Sequence, residues 1–161
     1  VFLAVFAMTM PLAGNLMANW GPKKTATLGG CLVGTGWIAA SFSPDITTLT
    51  LLYGVIGGAG VGVVYGCPIA VVAKWFPHKS GLAIGLTVLG FGVSALITAP
   101  LMKAMISHPD IGILNTFFYL GTSFLVIVVL LAQGLRFPSA EWVHTNPTAS
   151  ANGRNRDWLM A

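Results

Sequence analysis

Residues 50–81 read TLLYGVIGGAGVGVVYGCPIAVVAKWFPHKSG, an apolar stretch followed by a short basic turn. Its glycines recur at every fourth position and therefore share one face of an α-helix: Gly54, Gly58, Gly62 and Gly66. In water, each glycine inside a helix costs about 1 kcal/mol relative to alanine. In a bilayer, the same row lets another helix approach almost to backbone contact. The stretch therefore predicts a tightly packed membrane helix.

The composition predicts an all-α integral membrane protein. Apolar residues make up 55% of the 161 residues and charged residues only 7%, whereas soluble domains carry about 25% charged residues. Both cysteines, Cys31 and Cys67, fall inside apolar segments, and no metal-ligand spacing is present. We therefore expect neither a disulfide framework nor a metal or other cofactor.

Apolar segments divide the chain into about five spans, at 1–13, 25–42, 50–73, 82–102 and 113–135, which together form one transmembrane bundle over 1–135. A crossing needs roughly 20 apolar residues. The first segment is shorter and has no initiator Met or signal-peptide n-region, so we expect a fragment that starts within a helix. Phe117, Phe118 and Phe124 favour a lipid-facing fifth span. Residues 136–161 are polar and proline-containing, which predicts the start of a central cytoplasmic loop.

The cations predict the orientation of the chain. Seven of the eight Lys and Arg fall on one side of the predicted spans, and the exception is Lys103. Loops rich in Lys and Arg stay cytoplasmic, so the C-terminal tail is expected in the cytoplasm, in a plasma or inner membrane. The net charge of +4 then reflects membrane orientation rather than nucleic-acid binding. The alternative interpretation is that these cations are scattered over the protein surface and do not report its orientation in a membrane.

No Asp, Glu, Lys, Arg or His lies within the five predicted spans. Intramembrane ionisable groups are typical of ion pathways, proton relays and catalytic sites. The sequence therefore argues against a membrane-embedded enzyme, and predicts a segment that supplies the walls of a pathway.

Residues 11–24, PLAGNLMANWGPKK, resemble the loop between the second and third helices of major facilitator superfamily transporters. In that motif the positions of the acidic and basic residues of a charge pair are occupied here by Ala18 and Asn19. The matching residues are Gly14, Leu16, Gly21 and Lys23.

Residues 53–96 resemble the fourth and fifth helices of the oxalate/formate antiporter family within that superfamily. The basic motif that joins those helices is matched by Lys74, Trp75, Phe76, Pro77, Lys79, Gly81, Leu82 and Ala83, with Ser80 in place of an Arg. The resemblance extends through Trp142. It implies that the five segments are helices two to six of twelve, a partial N-terminal bundle of the superfamily.

The resemblance also implies a mechanism and a substrate class. Two six-helix halves would rock around a site near the bilayer midplane and move oxalate, formate or other monocarboxylates, by exchange or by proton-coupled symport. The expected partners are the small carboxylate, the lipid bilayer and the missing C-terminal half of the same chain, which carries the family's cationic substrate contacts. Tyr65 and Phe91 correspond to the aromatic lining of the cavity.

Simpler roles exist for each of these residues. The Tyr65 phenol could bond to a helix carbonyl, Phe91 could be plain packing, and Tyr53, Trp20 and Trp75 could anchor at the interface. The glycine row could be a fixed or a sliding seam, and the kink expected at Pro68 a gate or only a shape requirement. Two alternative functions are a non-transporting membrane scaffold or receptor-like relative, and a carrier of an uncharged substrate.

Overall fold

The structure is a computed structural model that describes residues 1–138, and over this range it contains helices and turns but no strand. The all-α expectation is therefore confirmed. The helices are α1 (Phe2–Ala40), α2 (Ile46–Leu51), a π-helix (Leu52–Gly57), α3 (Gly58–Trp75), a 3₁₀ turn (Pro77–Lys79), α4 (Ser80–Ser107) and α5 (Gly112–Ala132). Nearly all of the predicted central loop, residues 139–161, lies outside the described residues.

The first helix, α1, folds back on itself. At 39 residues it would be about 58 Å long if straight, roughly twice the hydrocarbon thickness of a bilayer. Its helical geometry breaks at Gly21, whose φ of 78° and ψ of 167° are essentially restricted to glycine. The rings of Phe2 and Trp37 lie 4.9 and 5.3 Å from the same Tyr53 ring, between centroids. Because both ends of α1 meet one side chain, α1 is a hairpin with a first arm (2–20) and a second arm (22–40).

The first arm is longer than the span predicted from the apolar run. It continues past Ala13 to residue 20, and about 19 helical residues reach roughly 28 Å. Polar Asn15 and Asn19 interrupt the apolar pattern, but both are exposed on the arm, so they do not end the helix. The loop implied for 11–24 is thus reduced to a sharp turn at Gly21.

The second arm lies at the centre of the bundle, between α3 and α5. On one side Gly29 faces Gly60 and Val64 of α3, and on the other side Gly34 faces Leu125 of α5. Residue order along the contacts shows that this arm runs antiparallel to both neighbours. The first arm packs on α3 in the parallel direction. Small residues on both sides explain how one helix contacts two others at close range.

The fourth helix, α4, lies at the edge of the described bundle. None of its residues is buried, and a methyl group added at Gly85 or Gly90 would meet nothing within 4 Å. Phe91 is the residue of α4 whose ring reaches into the bundle, with its centroid 4.7 Å from that of the Tyr65 ring on α3. α4 therefore closes one side of the bundle loosely.

Most described cations gather at one end of the bundle. The indole nitrogen of Trp75 donates a hydrogen bond to the Arg136 carbonyl oxygen at 2.8 Å, and Lys74 Nζ lies 3.7 Å from the Phe137 ring centroid. Gln133, near the end of α5, donates to the Thr27 hydroxyl at 3.3 Å. These contacts join the end of α3 to the residues that follow α5, and the end of α5 to the start of the second arm of α1. We call this the cation-rich end; it carries Lys23, Lys24, Lys74, Lys79 and Arg136.

The opposite end carries the described acidic residues. Asp45 caps α2, because its carboxylate accepts hydrogen bonds from the backbone N–H groups of Thr47 and Thr48 at 3.1 and 3.2 Å. The Thr48 hydroxyl donates a third bond at 2.6 Å and is the main reason that the pKa of Asp45 lies below its usual value. His108 and Asp110 pair at 3.7 Å in the turn before α5.

Candidate functional site

A cavity of about 280 Å³ lies between both arms of α1, α3, α4 and α5. We call it the central cavity. Its lining is apolar and aromatic except for the hydroxyl groups of Tyr65 and Ser94 and the indole N–H of Trp37. The lining residues are Phe2, Val33, Trp37, Val61, Val64, Tyr65, Phe91, Ser94, Phe124 and Val128. The two residues that the resemblance assigned to a cavity, Tyr65 and Phe91, are therefore brought together in one.

A second cavity of about 240 Å³, the inner cavity, adjoins it toward the cation-rich end. Both cavities share Val64, Phe91 and Val128 in their walls, so these three side chains stand between them. The inner cavity continues past Pro68 to Leu135, beside Arg136. The two cavities thus lie in line inside the bundle, and a small set of side chains separates them.

In the described part of the chain, the Tyr65 hydroxyl is a free polar group of the central cavity, as is the indole N–H of Trp37. Tyr65 is half-buried, with its ring against Phe91 and edge-on to Phe6 at 5.5 Å between centroids. Within residues 1–138 its phenol has no hydrogen-bond partner, so the helix-carbonyl bond considered for it does not form there. The Ser94 hydroxyl, in contrast, donates to the Phe91 carbonyl oxygen at 2.6 Å. A ligand in the cavity would therefore find the Tyr65 O–H available.

Neither cavity has a charged lining residue in the part of the chain that the structure describes. Over the same residues, no group of three or more His, Cys, Asp or Glu side chains is placed to hold a metal ion. Within the described residues, the site offers a solute an aromatic surface and the hydrogen-bond donors of Tyr65 and Trp37, with no charged side chain in the lining.

An aromatic cluster borders the central cavity. Trp37 contacts the rings of Tyr53, Phe117 and Phe124 with centroids 5.1 to 5.3 Å apart. Phe117 and Phe124 therefore pack inside the bundle, although much of α5 is exposed as expected for a lipid-facing span, and the Tyr53 ring packs against Phe117. Phe118 is 39% exposed, and its side of α5 does face outward. The reasoning from sequence did not single out Trp37 or Phe124 for the cavity.

The predicted glycine row faces the first arm of α1. Gly54 lies against Val1 and Gly58 against Phe2. Gly62 and Gly66 lie against residues farther along the first arm. The space available for a side chain differs along the row. At Gly66 an added methyl group would be 3.7 Å from its nearest neighbours, an ordinary contact. At Gly62 it would collide with the Thr9 side chain.

The tightest backbone contact is on the opposite face of the same helix. A methyl group on Gly60 would lie 2.5 Å from the Val33 backbone nitrogen and 2.8 Å from the Gly29 carbonyl oxygen. Gly36 of the second arm packs equally closely on Gly57: a methyl group on Gly36 would lie 2.7 Å from the Gly57 nitrogen. The α3 segment and the π-helix before it are therefore closely packed on two faces, whereas the glycine spacing predicts only one packed face.

Pro68 lies inside α3 and lines the inner cavity. Because proline has no N–H, the carbonyl oxygen of Val64 loses its helical donor. The helix nevertheless continues to Trp75. Val64 lines both cavities, so the freed carbonyl belongs to the residue at their junction.

The residues assigned to the loop motifs mostly lie in helices. Gly14 is inside the first arm and exposed, with no neighbour within 4 Å of an added methyl group, and Lys23 is in the first turn of the second arm. Lys74 is in the last turn of α3 and Gly81 in the first turn of α4. Only Gly21 and Lys79 sit in non-α-helical turns. Short turns between long helices leave little of either motif in a true loop.

The sequence of the chain is similar to those of known membrane carriers. The family model described as Major Facilitator Superfamily matches residues 1–156. The oxalate:formate antiporter of Oxalobacter formigenes is 33% identical over 135 residues, which is 84% of this chain and 32% of that protein. Monocarboxylate transporter 1 of Mus musculus is 36% identical over 104 residues (65% of this chain, 21% of that protein), and apicoplast pyruvate carrier 1 of Toxoplasma gondii is 33% identical over 108 (65% and 19%). The chain thus spans a third or less of these relatives.

Proposed function

Because the chain belongs to the major facilitator superfamily and is part of a multi-pass integral membrane protein, we propose that it forms walls of a secondary transporter for small organic anions. Its relatives named for oxalate, formate, pyruvate or monocarboxylates support this substrate class. The observation that carries the proposal is the central cavity with its free Tyr65 phenol. A transporter, unlike an enzyme, needs no reactive group there.

The cavity suits a small solute. Pockets for drug-sized ligands measure about 300–1,000 Å³, so a cavity of about 280 Å³ lies at the lower limit of this range and has room for a small carboxylate. A carboxylate group would accept a hydrogen bond from the Tyr65 O–H, while the Phe91, Trp37 and Phe124 rings contact its apolar part. The charge of the anion would be met by cations elsewhere in the complete carrier, since the described lining has none.

Movement of the substrate would use the two cavities in turn. In this proposal Val64, Phe91 and Val128 form the barrier between the central cavity and the cation-rich end, which lies on the cytoplasmic side. The alternating-access motion would be a rigid-body rocking of this bundle against the rest of the carrier. The closely packed second arm and α3 favour movement as one unit.

The first prediction tests the Tyr65 phenol. In proteoliposomes that contain the intact protein, Y65F is expected to raise the half-saturating concentration for labelled formate, oxalate or lactate by about tenfold or more. A hydrogen bond to a charged group contributes about 1.5–3 kcal/mol, and the variant removes only that donor. Initial uptake rates over a range of substrate concentrations measure the effect.

Y119F is the matched control, because Tyr119 is 53% exposed and lies outside the central cavity. It is expected to transport like the wild type. Equal kinetics for Y65F and the wild type would remove Tyr65 from the substrate site. Saturable uptake of a labelled sugar, with none of any carboxylate, would replace the substrate class by an uncharged one.

A non-transporting scaffold remains a second candidate because of one feature of the hairpin. Ala18 and Asn19, exposed beside the turn at Gly21, carry no charge where the resembling motif carries a pair. If the protein is a carrier, the double variant A18D/N19R is expected to change a measurable exchange rate by about fivefold at most, since exposed ion pairs contribute about 0–1 kcal/mol. A scaffold would show no exchange of labelled carboxylate with either sequence. Exchange in preloaded proteoliposomes distinguishes them.

A further inference from the structure

A groove at the cation-rich end opens toward the outside of the bundle, away from both cavities. It encloses about 650 Å³ between the start of the second arm and the end of α5. It is lined by Trp20, Lys23, Lys24, Thr27, Leu28, Cys31 and Gln133. We call it the basic groove. Neither the transport proposal nor the sequence motifs assign it a ligand.

The groove divides into a charged upper part and an apolar lower part. Lys23 and Lys24 lie in the first turn of the second arm, immediately after Gly21, and both are exposed. Leu28 and Cys31 follow along the same helix face and are also exposed, so the apolar part of the groove continues down the outside of the bundle. Positions 24, 28 and 31 are spaced as neighbours on one side of a helix.

The two lysines have no anionic partner in the protein as far as it is described. The ion pair found in residues 1–138 joins His108 to Asp110, at the other end of the bundle. The N-terminal turn of the second arm adds further positive potential, because its first N–H groups lack helical acceptors. Two cations and a helix start therefore face one groove, and within residues 1–138 no carboxylate forms an ion pair with either lysine.

Trp20 marks the depth of the groove in the membrane. Its side chain is 53% exposed and sits at the upper edge, and exposed tryptophan is typical of the headgroup level of a bilayer. On this basis we expect the lysines at headgroup level, and Leu28 and Cys31 at the level of the acyl chains. Gln133, which donates to Thr27 and to the Val129 carbonyl oxygen, closes the far wall.

We infer that the basic groove binds an anionic phospholipid of the leaflet on its own side. The negatively charged headgroup region, with its phosphate, would pair with Lys23 and Lys24, and one acyl chain would lie along Leu28 and Cys31. Charge complementarity selects this occupant over a zwitterionic lipid, and the apolar lower part selects a lipid over a soluble anion. The inference depends on the membrane hairpin and not on transport.

The test is native mass spectrometry of the intact protein released from nanodiscs with equal amounts of phosphatidylglycerol and phosphatidylcholine of the same acyl chains. The wild type is expected to retain phosphatidylglycerol selectively at one site. The double variant K23Q/K24Q is expected to lower that preference on the order of 30-fold, because each surface lysine near an anionic lipid contributes about 1 kcal/mol. A normal elution profile on size exclusion confirms that the variant is folded.

Two comparison variants make the result specific. K79Q/K103Q removes the same charge from exposed positions outside the groove and is expected to keep the preference. C31W keeps both lysines but fills the apolar part, and is expected to reduce retention of phosphatidylglycerol. Equal losses in the two lysine pairs would show general charge attraction and overturn the inference. Unchanged retention in C31W, or equal retention of both lipids by the wild type, would overturn it as well.

Discussion

Replacing Gly60 with alanine is expected to lower the free energy of unfolding by about 3 kcal/mol, the upper range for overpacking. The added methyl group would lie 2.5 Å from the Val33 nitrogen and 2.8 Å from the Gly29 carbonyl oxygen. Both atoms belong to the backbone of the second arm, so no side-chain rotation relieves the contact. Separating α3 from the second arm would also loosen the wall of the central cavity, which Val33 and Val64 share.

The buried thiol of Cys67 supplies the measurement. Cys67 is 0% exposed and Cys31 is exposed, so in a C31S background a maleimide dye reports unfolding through Cys67. Denaturant titration of G60A, G66A and the parent protein gives the free energies. G66A is the matched control, because its methyl group would have ordinary contacts at 3.7 Å from Ala13 and Met17. Equal stability of G60A and G66A would contradict the backbone contact.

The second large effect is expected at the hairpin turn. Gly21 has a φ of 78° and a ψ of 167°, a region that side-chain-bearing residues avoid at a cost of about 1–3 kcal/mol. No neighbouring atom lies within 4 Å of an added methyl group, so the whole cost of G21A comes from the backbone. We expect a loss of about 2–3 kcal/mol in the same thiol assay.

G14A is the control for the turn, since Gly14 lies in the same arm, is helical and also has open space around it. Alanine is the better helix former, so G14A is expected to be neutral or to stabilise by up to about 1 kcal/mol. A loss in G14A as large as in G21A would mean that the arm, and not the turn geometry, is sensitive to added bulk.

The apolar runs were sufficient to predict the helical class and four of the helical segments, because a bilayer demands long uninterrupted helices. The sequence predicts too short a first arm, because the apolar run ends at Ala13 and the resemblance assigns residues 11–24 to a loop, whereas the helix continues to the turn at Gly21. On a helix that ends at the membrane boundary, exposed polar residues are compatible with continued helix.

The site was harder to predict than the spans. Tyr65 and Phe91 were found through motif resemblance, and they do share a cavity. Trp37 and Phe124 were not found, because a helix that is apolar on all sides gives no pattern to separate its inner from its outer face. Which face is inside depends on contacts between distant segments, such as that of Trp37 with Phe124.

The central position of the second arm bears on how the sequence can change over time. At Gly29, Gly36 and Gly60 even the smallest side chain meets backbone atoms, so substitution there requires simultaneous change in a neighbouring helix. Along α4, by contrast, a methyl group added at a glycine meets no other atom within 4 Å in the part of the chain that the structure describes. Among homologues, the central helices are thus expected to diverge slowly at these glycines, because each change there must be matched by a change in the helix that packs against it.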